Sequence, residues 1–174
     1  MPRSLTFLAL VVCAGCAPAP DAFPPPPQRA PLTALPPTPF SYFLSMADPH
    51  AGAYLVQDVA AQGTGTWRWA FAHPVLRFWV PAFPRLRFVL DYSLPERTFR
   101  ETGPVTLTIR VNGELLDRHR ADVPGEQHYG REVPAGLIRP AAVNLVAIDP
   151  EPVWVSPSDH ARLGFILSRA GFAE

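Results

Sequence analysis

The run Val105 to Asp117, VTLTIRVNGELLD, restricts what this chain can fold into more than any other stretch. Val105, Leu107, Ile109 and Val111 alternate with Thr106, Thr108, Arg110 and Asn112, which is the period-2 pattern of a strand with one buried face. Asn112-Gly113 then supplies two residues that accept positive φ, so a type I′ turn sends the chain back through Glu114 to Asp117 as an antiparallel partner. A lone hairpin is marginal in water and needs further strands to bury its apolar face.

Those strands are available from about Ala53 to Phe172. Ala53 to Ala60, Thr66 to His73, Val75 to Val80, Arg85 to Leu94, Gln127 to Val133, Asn144 to Ile148 and Leu163 to Arg169 all read as short strands. Turns at Asp48 to Gly52, Gln62 to Gly65, Glu101 to Pro104 and Ser156 to Asp159 separate some of them, and Pro134 to Pro140 is a short connection. Pro74 is expected to end or bulge the strand before it. On that strand Trp67, Trp69 and Phe71 share one face, and three alternating aromatics read as sandwich core. Leu86, Phe88, Leu90 and Tyr92 form the buried face of a later one. Twenty-three prolines exclude a helical protein, and no stretch of ten or more residues holds a 3.6 period without a breaker. The expected fold is all-β, an antiparallel sandwich of about seven or eight strands over residues 40–174.

The N-terminus reads as an address. MPRSLTFLALVVCAGC carries one early basic residue, Arg3, an apolar run from Leu5 to Val12, and then small residues, which is the layout of a secretory signal too short to span a bilayer. Ala14-Gly15-Cys16 resembles the lipobox of bacterial lipoproteins, with Cys13 standing where that family usually has an aliphatic residue. The resemblance implies a signal peptide over residues 1–15, acylation of Cys16 by chains such as palmitate, and a mature chain beginning there. Losing Arg3 leaves 14 basic against 15 acidic residues. More than one acyl chain gives stable membrane attachment. Ala17 rather than Asp after the cysteine implies, by the same resemblance, the periplasmic face of the outer membrane. Residues 16–39 form a linker, with ten prolines between Ala17 and Pro39. As an extended polyproline II spacer of about 3.1 Å per residue it reaches roughly 70 Å. Pro24 to Pro27 also have the form of a ligand for an aromatic groove on a partner.

The remaining chemistry is mostly exclusion. Fifteen basic and fifteen acidic residues are scattered, so nothing marks a nucleic-acid partner. Every basic residue is Arg, which removes lysine Schiff-base and P-loop chemistry. Both cysteines, Cys13 and Cys16, precede the domain, so it has no disulfide and no thiolate metal site. His50, His73, His119, His128 and His160 show no metal-ligand spacing, although His119 and His128 could meet across neighbouring strands. No serine sits in a Gly-x-Ser-x-Gly elbow, and the pairs Glu96/Glu101 and Asp149/Glu151 lie in proline-flanked loops. The chain reads as a non-enzyme without a cofactor. Trp67, Trp69, Trp79, Tyr129 and Trp154 offer flat faces on which sugars stack, while Arg and Asp bind hydroxyls. Trp154, in a loop between Pro152 and Pro157, is expected to be exposed, and with Asp159, His160 and Arg162 it forms the candidate ligand-binding set.

Thr66-Trp67-Arg68-Trp69, the VTLTIRVNG hairpin and the closing run Asp159 to Phe165 together resemble a jelly-roll β-sandwich family of the bacterial envelope. Its members occur as short lipoproteins and as modules attached to glycosyltransferases. In that family's pattern Arg follows Asp by two residues; here Ala161 holds that place and Arg162 comes one later, which on a strand is the opposite face. The resemblance implies a jelly-roll fold and a lipid-anchored, non-catalytic domain that binds carbohydrate or assists polysaccharide handling. The alternative is an interaction module that docks another envelope protein through a sheet edge or apolar patch.

Overall fold

A computed structural model describes residues 41–61 and 65–174, so the signal peptide, Cys16 and the proline-rich linker lie outside the described residues. The described chain is an antiparallel, jelly-roll-like β-sandwich. Its strands are β1 (Phe43–Ser45), β2 (Leu55–Val59), β3 (Arg68–Val80), β4 (Arg87–Leu94), β5 (Val105–Val111), β6 (Glu114–Ala121), β7 (Gly125–Glu132), β8 (Ala142–Glu151), β9 (Trp154–Val155), β10 (Arg162–Leu163) and β11 (Phe165–Ala173), with one helix, α1 (Glu96–Thr102). Nine strands join in the order β6-β5-β8-β3-β11-β4-β7, with β1 on β11 and β2 on β3, while β9 and β10 form a separate ribbon.

The hairpin forms as the sequence requires. Asn112 and Gly113 take φ of 52° and 91°, and β5 and β6 pair from Val111↔Glu114 to Val105↔Ala121. A bulge between Ile109 and Arg110 leaves Leu116 as the extra residue on β6. Bulges re-aim a side chain, and here Leu116 turns toward the mouth of the sandwich.

β3 departs from expectation. Thr66 to His73 and Val75 to Val80 are not two strands but one of 13 residues, with Pro74 buried inside it. The proline is tolerated because the strand changes partners there. Arg68 to Ala70 pair with β11, whereas Val75 to Val80 pair with β8, so Pro74 falls between two ladders and its missing N–H breaks neither. One unbroken strand keeps one parity. Leu76, Phe78 and Val80 face inward, which forces Ala70 and Ala72 inward as well. Trp67, Trp69 and Phe71 therefore sit on the outer side, each half-buried, and the expected aromatic core is not formed by them.

The core comes instead from the two layers that β3 links. Phe78 meets Phe172 edge-on with ring centroids 5.6 Å apart, and Phe88 meets Phe172 at 5.5 Å. Leu107, Ile109, Val146, Ile148, Leu90 and Leu167 fill the space between, all at most 1% exposed. Each such side chain contributes about 1.5–3 kcal/mol by leaving water. The second correction is α1, which replaces part of the expected turn before the hairpin. Glu96 and Arg100 pair along it at 3.3 Å, and Gly103, at φ 73°, ends it by donating its N–H to the Phe99 carbonyl.

The registers define two ends of the sandwich. Arg87 at the start of β4 lies beside Glu132 and Ala173, whereas Leu94 at its finish lies beside Gly125. One end thus carries the finishes of β7 and β11. The other carries α1, β9 and β10.

Candidate functional site

At the α1 end, the four residues singled out in the closing loop separate. β9 and β10 pair as Trp154↔Leu163 and Val155↔Arg162, so Trp154 and Arg162 project from opposite faces of the ribbon. Trp154 is half-buried rather than exposed. Its indole N–H donates to Glu101 Oε2 at 2.6 Å, and the Arg97 guanidinium lies 6.0 Å from its ring centroid. The ring is thus engaged with α1. Asp159 is spent on its own turn: its Oδ1 accepts the Ala161 N–H at 3.3 Å. Hydrogen bonding from the Ser156 hydroxyl, then from that N–H, holds its carboxyl below the ordinary range. His160, at φ 58°, closes the turn by donating its backbone N–H to the Ser156 carbonyl.

Arg162 faces the other way, into a groove of about 430 Å³ between β2, β3 and β10. Phe71 and His73 from β3, Asp58 from β2 and Ala161 line it with Arg162. The arrangement follows from the parity of β3, which turns Phe71 and His73 outward together. Asp58 holds the rim in place. It takes φ 52°, a left-handed conformation that Asp enters more readily than most residues, and its Oδ2 accepts the His73 backbone N–H at 3.0 Å. His73 Nδ1 lies 3.0 Å from Asp149 Oδ1, and Asp149 also lies 3.6 Å from Arg110. The Arg162 side chain is exposed and makes no hydrogen bond or ion pair among the described residues. An aromatic ring, an oriented imidazole and an uncommitted guanidinium therefore converge on one shallow concavity. Sequence reasoning named Arg162 and missed Phe71 and His73; the strand parity that exposes them depends on reading through Pro74.

Other candidates resolve differently. His119 and His128 do not meet: His119 packs inward against Tyr129 with centroids 4.8 Å apart, while His128 pairs with Asp91 on the outer face. Asp91 is also gripped by Arg169. Among the described residues, no group of three or more His, Cys, Asp or Glu side chains is placed to hold a metal ion. Between β6 and β7, Tyr129 donates its hydroxyl to Asp117 Oδ2 at 3.0 Å, and burial followed by that bond pushes its pKa up. The neighbouring Tyr92 is 2% exposed, its hydroxyl has no hydrogen-bond partner among the described residues, and burial raises its pKa from 10.0 to about 12.

No family model matches this chain, and no curated protein matches it. Among solved structures it is similar to a family 35 carbohydrate-binding module from Cellvibrio japonicus, at 13% identity and a TM-score of 0.46, over 76% of this chain and 91% of that one. A second module of that type, solved with a glucuronic acid-containing disaccharide, is 12% identical with a TM-score of 0.46, over 77% of this chain and 94% of the other. A family GH115 4-O-methyl-α-glucuronidase is 10% identical with a TM-score of 0.43; the similarity covers 62% of this chain but 14% of the enzyme's length. At these scores the likenesses are distant, and no property of the site rests on them.

Proposed function

We propose that this chain is a lipid-anchored, non-catalytic cell-envelope module that binds carbohydrate in the groove between β2, β3 and β10. The observation that carries the reading is the unpaired Arg162 guanidinium beside the outward-facing Phe71 ring and the His73 imidazole. A ring offers an apolar face to a pyranose, and a guanidinium with free donors takes its hydroxyls. The sequence resemblance to envelope jelly-roll domains points the same way. Acylation at Cys16 and residence at the periplasmic face of the outer membrane complete the proposal, with residues 16–39 as the spacer. Trp154 serves by bracing β9 against α1, and Asp159 and His160 by shaping the turn that presents Arg162.

The test is calorimetric titration of the acylated chain in detergent with a panel of neutral envelope and exopolysaccharide fragments, beside Arg162→Ala and Phe71→Ala. Saturable binding that either substitution weakens by about tenfold or more supports the site. A flat response across the panel overturns it.

A second reading has its own observation. On the outer face of the layer formed by β3 and β8, Trp79 lies opposite Val143, and both are more than a third exposed, as is Leu145 opposite Arg77. An exposed apolar strip of this kind fits a docking surface for another envelope protein. That reading requires a stoichiometric protein partner lost on Leu145→Arg and indifferent to Arg162→Ala.

A further inference from the structure

At the end of the sandwich away from α1 lies a wider groove, of about 1140 Å³. That is larger than the roughly 300–1,000 Å³ of ordinary small-molecule clefts and has room for a segment of polymer. Its floor is apolar: Leu86 and Val133 are buried, and Phe83, Leu116 and Ile138 pack half-buried against the core. Three arginines, Arg85, Arg87 and Arg131, stand around it against two carboxylates, Glu132 and Glu174.

Two features show that the groove is built into the fold. The first is Gly130, inside β7, where a glycine weakens a strand unless something must approach its backbone closely. What approaches is Arg87. A Cβ on Gly130 would stand 2.6 Å from Arg87 Nε, and Arg87 Nη2 donates to the Gly130 carbonyl at 3.3 Å. The glycine thus lets one guanidinium lie flat on the strand, its direction set before any ligand arrives. The second is the wall over residues 134–140. Asn144, fully buried, accepts the Arg139 N–H through Oδ1 at 2.8 Å and donates through Nδ2 to the Arg139 and Ala142 carbonyls. The turn residue Asn112 donates to Asn144 Oδ1 and to the Leu137 carbonyl, both at 2.8 Å. Satisfied buried amides hold this irregular segment against β8 and so fix the groove's width.

The other arginines are available. The exposed Arg131 lies 3.9 Å from the half-buried Asp117, a loose pair, and the Arg85 side chain makes no hydrogen bond or ion pair among the described residues. Guanidinium groups around an apolar floor select an oxyanion on a chain with apolar faces, because the fork of donors matches two oxygens of a carboxylate or a phosphate while the floor takes the ring or backbone behind them.

We propose that this groove is a second binding site, taking an oxyanion-bearing segment, carboxylate or phosphate, of an envelope polysaccharide. The choice of a polysaccharide rests on the carbohydrate-binding reading above; the choice of an anion rests on this groove alone. The acylated chain is titrated by calorimetry with oligogalacturonate, with its methyl ester, and with inorganic phosphate, for the wild type, Arg87→Gln, Gly130→Ala and Arg162→Ala, after thermal melts establish that each variant is folded. The expected result is saturable binding of oligogalacturonate or phosphate, with the methyl ester at least about tenfold weaker than the acid. Arg87→Gln weakens binding similarly, Gly130→Ala weakens it several-fold by displacing Arg87 with its charge intact, and Arg162→Ala leaves it unchanged. Saturation by oligogalacturonate assigns the carboxylate, and saturation by phosphate alone the phosphate. Equal affinity for acid and ester, loss on Arg162→Ala with none on Arg87→Gln, or no binding of either anion overturns the proposal. Neutral-glycan binding that still depends on Arg162 leaves the first site standing in each of those cases.

Discussion

At the end of the sandwich that carries α1, Trp154 gives its indole N–H to Glu101 and its ring to Arg97, and Asp159 closes its own turn. At the opposite end, Arg85 has no partner among the described residues and Arg131 only a loose one, over a floor of half-buried Phe83, Leu116 and Ile138. The first end holds the residues whose types look most functional, yet most of their donors and faces are consumed within the chain. The second holds residues that look ordinary in sequence, yet their polar tips remain free. What a side chain can bind depends less on its type than on what its neighbours leave unsatisfied.

Two glycines sharpen the contrast, and one of them carries the largest expected effect. Gly164 sits between β10 and β11, where an added Cβ would lie 2.5 Å from the Phe71 carbonyl oxygen and 2.5 Å from Pro150 Cγ. Neither can yield without moving β3 or β8. Gly164→Ala is expected to cost about 3 kcal/mol, read as a lower denaturant midpoint, and to spoil the groove that Phe71 lines. Gly130→Ala meets only the Arg87 side chain, which can swing away, and strands prefer Ala to Gly by about 0.5–1 kcal/mol. Its stability should stay within about 1 kcal/mol of the parent. Comparable losses at both positions would mean that the wide groove is as rigid as the α1 end, contrary to the picture of a displaceable arginine.

The seam between β6 and β7 closes the sandwich between the two ends, and it makes the next largest prediction. Tyr92 is raised from 10.0 to about 12 by burial, and Tyr129 is raised by burial and by Asp117. In the unfolded chain both phenols lose their protons near pH 10, before they do so in the fold. Their contribution is therefore complete below pH 10 and is lost as pH rises from there through the folded values. Tyr92 alone should remove on the order of 2 kcal/mol by pH 12. Urea midpoints at pH 9 and pH 11.5 test this. The parent should lose stability more steeply than Tyr92→Phe/Tyr129→Phe, and an identical slope in the double variant would refute the assignment. At pH 7, Tyr92→Phe should be neutral or slightly stabilising, because it removes a buried hydroxyl that has no partner among the described residues.

The hairpin was legible because its information is local: alternation decides the face and Asn112-Gly113 decides the turn. α1 also carried local signals, with Pro95 and Glu96 at its start, Gly103 at its end and Pro104 beyond. At seven residues it is shorter than the window in which a helical period can be recognised. Pro74 alone predicts a broken ladder, but a strand that changes partners has a gap where proline does no harm, and that gap is a property of the whole sheet. The face of Trp67, Trp69 and Phe71 is a separate matter: three alternating aromatics read as core by residue type, whereas the parity set by Leu76, Phe78 and Val80 across Pro74 turns them outward and brings Phe71 to the groove. The arginine groove had no local signal. Arg87 and Gly130 are neighbours only through the β4–β7 register, and Asn112 reaches Asn144 only because β5 lies beside β8.

The smallest expected effect decides whether the α1 end is a scaffold or a site. Trp154→Phe keeps a flat ring and removes the indole N–H, so Glu101 loses a 2.6 Å partner while remaining exposed to water. An exposed acceptor recovers most of that bond from solvent, and the expected loss is about 1 kcal/mol, together with the weaker stacking of Arg97 on a smaller ring. Neutral-glycan affinity should not change, because Trp154 faces α1 and Arg162 faces the groove. Arg162→Ala should do the reverse, leaving the melting temperature in place, since the side chain is exposed and unpaired among the described residues, while weakening neutral-glycan binding by about tenfold or more. If Trp154→Phe instead weakened binding as much as Arg162→Ala, the ligand would have to wrap both faces of the β9–β10 ribbon, and the two-residue strands would then be part of the binding surface rather than its support.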